Sequence, residues 1–232
     1  MWETYISYFH KQPIVCLSVV STLFPLALIL YKKAYSQPTF LILFIYLVVK
    51  FAVDNVMLYY ALFKVNTVLY FNINVLIRYV LLSAMFYYNL ETVRYRKAIL
   101  YSILAFLVFW VVDFLYCNPE LANLHHHRAL LYSTTLECLL MIFWILLYFY
   151  ETIRTLKIPN LLTAPFFWIC SGFLLYYSSF VFIAPVLNSV FKWDKRLDIG
   201  FLLDIPSIFE IVCMILISVG TWFFSSNDYA RQ

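Results

Sequence analysis

The sequence predicts an all-α polytopic membrane protein, a bundle of seven transmembrane helices. Three observations carry that reading. The 232 residues are 65% hydrophobic and only 12% charged, whereas soluble domains carry about 25% charged residues. Seven apolar stretches each approach the ~20 residues needed to cross ~30 Å of hydrocarbon. Between them lie short loops, where most of the Lys and Arg residues collect. The expected spans are 13–31, 38–60, 67–90, 98–116, 129–150, 163–184 and 202–224. The longest loops, 118–128 and 185–201, are too short for a soluble domain of useful size, so residues 1–232 read as one membrane domain.

The first span follows MWETYISYFHKQ and ends in YKK at 31–33. That flank pattern reads as an uncleaved anchor with its N-terminus outside. Counting cations between the spans tests the orientation. The side of the N-terminus holds Lys11, Lys64, Arg128, Lys192, Lys195 and Arg196. The other side holds Lys32, Lys33, Arg94, Arg96, Lys97, Arg154, Lys157 and Arg231. The excess puts the C-terminus in the cytoplasm. Tyr and Trp gather near the expected ends, as headgroup-level rings do. Gly172, Gly200 and Gly220 are the only glycines, so packing through bulky side chains rather than GxxxG-type contact is expected. Pro25, Pro165 and Pro206 should each bend a helix or mark its start.

Charges within the spans are costly, about 2.5–3.5 kcal/mol each on insertion scales. Lys50 and Asp54 fall in the second span, Arg78 in the third, Asp113 in the fourth, Glu137 in the fifth, and Asp204 and Glu210 in the seventh. Lys50 and Asp54 are four apart and share a helix face, as do Asn74 and Arg78, and Ser133 and Glu137. Under the expected orientation the carboxylates fall in the outer half, with Lys50 and Arg78 near the midplane. Two readings follow. One is a polar cavity open to the outside that binds a ligand or cation, or relays protons. The other is a set of buried ion pairs, Lys50 with Asp54 and Arg78 with Glu137 or Glu210, that holds the bundle together.

Other chemistries find little support. No basic tract for nucleic acid exists. Cys16, Cys117, Cys138, Cys170 and Cys213 are too scattered for a disulfide or zinc framework. His125, His126 and His127 read as a surface loop, with weak metal binding or proton sensing beside Glu120 as the alternative. The last span lacks the lysine of a retinal protein, and the spans lack the histidines of an intramembrane zinc hydrolase. No GxSxG, HExxH or GxGxxG occurs, so no cofactor is expected. A catalyst built from carboxylates alone, using Asp54, Glu137 or Glu210, stays open.

Two stretches sixty residues apart are alike: YYNLETVRYRK at 87–97 and LYFYETIRTLK at 147–157. Each offers a local pair, Glu91 with Arg94 and Glu151 with Arg154. Lys97 and Lys157 follow where a helix C-terminus and a cytoplasmic lipid face both favour cations. The plain reading is a stop signal and anchor. The repetition also fits a cytoplasmic docking surface for a partner, offered on two parallel helices.

The stretch PFFWICSGFLLYYSSFVF at 165–182 resembles a signature of a seven-span membrane family of Bacteroidetes-type bacteria. Pro165, Phe167, Trp168, Ile169, Gly172, Leu174 and Tyr176 match the pattern Pro-x-Phe-Trp-Ile-x-x-Gly-x-Leu-x-Tyr of that family's sixth span. Such proteins occur alone or as the membrane part of sensor histidine kinases. The resemblance implies a bacterial inner-membrane protein that senses or signals. These residues hold no ATP-binding domain, so a separate effector at the cytoplasmic face is expected to carry the output. A small-solute or proton-coupled transporter, and a structural subunit of a membrane complex, are the alternatives.

Overall fold

The computed structural model describes residues 9, 12–63, 65–119, 127–155, 161–193 and 200–224, with side chains described except at 184–193 and 200–203. Every long element among them is a helix. They are α1 (Pro13–Ser21), α2 (Leu23–Tyr31), α3 (Pro38–Leu62), α4 (Val68–Asn89), α5 (Val93–Cys117), α6 (Leu131–Thr155), α7 (Pro165–Trp193) and α8 (Gly200–Trp222). α1 and α2 together form one span, and each of the other six contains another. In hydrocarbon a helix is the open-chain structure that satisfies its own backbone. Seven such helices therefore define a multi-pass membrane protein.

Prolines set several of these boundaries. Pro13 and Pro38 occupy the first turns of α1 and α3, and Pro165 opens α7. There a missing N–H costs nothing. Pro25 acts differently: it cannot donate to the carbonyl one turn earlier, and the first span breaks at Thr22. Pro206 lies inside α8.

Contacts across the bundle define two ends. At one end Asn66 and Asn72 reach the chain at 127–128. At the other, Phe40 packs on Phe224 with centroids 4.7 Å apart, Asn89 donates to Thr39 Oγ1 at 2.9 Å, and the Lys32 ammonium lies over the Trp222 ring. The core between them is aromatic. Tyr79 packs on Phe106, and Phe166 sits between Phe86 and Tyr148. Apolar burial against lipid contributes little to such packing, so close van der Waals contact and hydrogen bonds hold the helices.

One expectation about packing is corrected. Glycine does serve close approach, at the α7–α8 contact. A Cβ on Gly220 would lie 2.5 Å from the Pro165 carbonyl oxygen, and one on Gly172 would lie 3.1 Å from that of Cys213. Elsewhere the largest fully buried side chains are Tyr79, Tyr177, Phe40, Phe86, Phe106, Phe166 and Phe173, and small residues such as Ser18, Ser21 and Thr221 are buried as well.

Candidate functional site

Arg78, on α4, carries three kinds of donor into the bundle interior. Its Nε and Nη2 reach Glu137 Oε1 and Oε2 on α6, both at 2.5 Å. Its Nη1 donates to Tyr176 Oη on α7 at 3.3 Å. Tyr177 Oη donates to Glu137 Oε1 at 3.1 Å, and the Tyr177 ring lies 5.8 Å from the guanidinium carbon. Glu137 is fully buried. A planar guanidinium matches a carboxylate through two parallel bonds, which a lysine cannot do. Both carboxylate oxygens are thus engaged, away from any water that could solvate them.

A second group lies beside the first. Lys50 of α3 pairs with Asp54, one turn further along the same helix, and with Glu210 of α8. The Lys50 side chain is 9% exposed, Asp54 21% and Glu210 16%. The Tyr176 hydroxyl accepts from Arg78 and has Lys50 and Glu210 within electrostatic range as well, so the two groups are neighbours. Two cations, Lys50 and Arg78, thus face three carboxylates, Asp54, Glu137 and Glu210. With all five ionised, one negative charge is in excess, and it belongs to the Lys50 group.

The structure therefore brings together five of the eight residues expected in the cavity; the other three make none of the contacts of this centre among the described residues. Asp113 lies elsewhere. Its Oδ2 accepts from the backbone N–H and hydroxyl of Ser133 at 2.9 and 2.6 Å, so it caps the start of α6 from α5. This occupies Ser133, which therefore does not serve Glu137 despite sharing its face. Asn74 is half-buried within α4 and its side chain makes no hydrogen bond among the described residues. Asp204 forms no ion pair among them.

Sequence reasoning missed Asn72, two positions before Asn74 and so on a nearly opposite helix face. Asn72 Nδ2 donates to the Arg128 carbonyl, and its Oδ1 accepts from the Leu130 N–H. Asn66 Nδ2 donates to the His127 carbonyl, and Asn118 Oδ1 accepts from the Arg128 N–H. These asparagines hold the chain that enters α6, and the buried His127 ring packs edge-on to Phe114. His125, His126 and Glu120 lie outside the described residues, as do Lys11, Lys64, Lys157 and Arg231. Among the described residues no group of three His, Cys, Asp or Glu side chains could hold a metal ion.

The twin stretches turn out to be unlike in structure. The first crosses a break: α4 ends at Asn89, residues 90–92 are extended or irregular, and α5 begins at Val93. Lys97 therefore lies in the first turns of a helix, not at the helix end expected, and Arg94 opens the same helix. The second stays helical through Thr155. Glu151 does not pair with Arg154. It accepts from the Glu91 N–H at 3.1 Å, from the Thr92 N–H at 2.9 Å and from the Thr92 hydroxyl. Those N–H groups at the start of α5 have no intrahelical partner and favour an anion. The two stretches meet, and together they line an open cleft of about 520 Å³.

The fold and the centre define the class: a multi-pass helical membrane protein with a buried ionic centre shared by five of its spans. No family model matches the chain, and no curated protein or solved structure matches it either.

Proposed function

We propose that the protein is a membrane sensor, a receptor-like subunit whose helix packing responds to the charge state of the Lys50–Asp54–Glu210 group. One observation carries this reading: a single buried ammonium is shared by carboxylates from two different spans. A proton or small cation that takes over Glu210 loosens the tie between α3 and α8 while leaving Lys50 paired with Asp54. The same reading sets the N-terminus outside and the C-terminus in the cytoplasm of a bacterial inner membrane, in line with the cation excess and the family resemblance. A separate cytoplasmic effector receives the change at the end where the twin stretches meet.

The test uses the full chain in proteoliposomes, with spin labels on α3 and α8. A sensor shifts the label-to-label distance when pH or external monovalent cation is varied, without net flux. Proton or cation flux abolished in Asp54→Asn or Glu210→Gln would make the protein a transporter. A distance that never moves, with no flux, would leave a structural subunit and overturn the proposal.

A further inference from the structure

Glu151 is consumed by the start of α5, which leaves Arg154 without the carboxylate its spacing would supply. Among the described residues Arg154 has no acidic partner, and its one hydrogen bond runs from Nη1 to Tyr150 Oη at 3.5 Å. Arg154 is exposed and lines the cleft with Tyr95, Tyr150, Thr92 and Thr155. The charge is therefore presented, together with hydroxyls, where a membrane span meets the headgroup layer.

The face of α6 leading to this cleft adds a second, independent observation. Leu139, Phe143, Leu146 and Tyr150 follow one another at steps of four, three and four, and each is more than half exposed. Arg154 comes four residues later on the same stripe. In a span this is a lipid-facing track that passes from aliphatic and aromatic surface, through a tyrosine at headgroup depth, to a cation. The apolar part fits an acyl chain, and the guanidinium fits a phosphodiester. Glu91 and Glu151 also line the cleft, and the Glu151 carboxylate is taken up by the start of α5.

We infer that this cleft is a phospholipid site, with the lipid phosphodiester on Arg154 and Tyr150 and an acyl chain along Leu146, Phe143 and Leu139. This site is distinct from the buried centre and does not rest on the sensor reading.

Native mass spectrometry of the detergent-solubilised full chain, titrated with phosphatidylglycerol and with a phosphate-free glycosyl diacylglycerol, tests it. The phosphatidylglycerol adduct should be the tighter, and Arg154→Gln should weaken it roughly fivefold. Lys32→Gln, which removes a cation at the same end but outside the cleft, should leave it unchanged. Millimolar inorganic phosphate should not displace it. Arg154 is exposed, so the variant should retain the helical signal of the parent protein. Equal binding of the two lipids, an unaltered Arg154→Gln adduct, or an equal loss in Lys32→Gln would overturn the site. Displacement by inorganic phosphate would reassign it to free phosphate and overturn the lipid.

Discussion

Arg78 with Glu137, and Lys50 with Asp54 and Glu210, occupy one buried centre yet are built on different plans. The first is one cation with one carboxylate, joined through two parallel bonds and completed by two tyrosines. The second is one cation between two carboxylates on separate helices, each partly exposed. Removing either member of the first strands a charge in the interior. Removing one carboxylate of the second leaves Lys50 still paired. The first pair therefore suits fixed packing of α4 on α6, and the second suits a contact that can change state.

The largest expected effect breaks the closed pair. Glu137→Ala should cost about 3–5 kcal/mol by leaving Arg78 buried and unpaired. Reversible unfolding in mixed micelles would read this. An Arg78→Met, Glu137→Met double variant should recover most of the loss, because two apolar side chains need no partner there. A double variant as unstable as the single would show that the tyrosine bonds, not the ion pair, dominate.

Next comes a test of sharing. Glu151→Ala provides the scale, since losing a cap at the start of α5 should cost about 1 kcal/mol. Asp54→Asn and Glu210→Gln should each cost well below the roughly 3–5 kcal/mol of a broken buried pair, because Lys50 keeps one carboxylate. The two together should cost distinctly more than the sum, since only the double variant leaves Lys50 alone. Additive losses in the same unfolding assay would mean that Lys50 depends on one carboxylate only, and the contrast with Arg78 would fall.

The smallest effect concerns the exposed cations of the first twin stretch. Arg94→Gln should change stability by less than about 0.5 kcal/mol, since Arg94 is exposed and has no partner among the described residues. A larger loss would give Arg94 a structural role that the break at 90–92 does not explain.

Much of this centre was legible from residue type alone. Lys50, Asp54, Arg78, Glu137 and Glu210 stand out because a charge in an apolar span is expensive. The Lys50–Asp54 pair also follows from helix spacing. The role of Asp113 is not legible in the sequence, because an acid near a span end serves a cavity or a neighbouring helix start equally well. Sequence does not choose between Asn72 and Asn74, because which face is used depends on the neighbours of α4. The twin stretches look equivalent in sequence because Glu-Thr-(Val/Ile)-Arg does not reveal that one crosses a helix break.

By itself the sequence determined the seven apolar helices, their approximate limits and the list of costly charges. Length and hydropathy decide those, since a backbone in hydrocarbon must close its own hydrogen bonds. Only the tertiary structure decided the partners: Arg78 with Glu137, Lys50 with Glu210 as well as Asp54, Glu151 with the start of α5. Those contacts join residues from different spans, and their energies depend on distances between helices that no local pattern encodes.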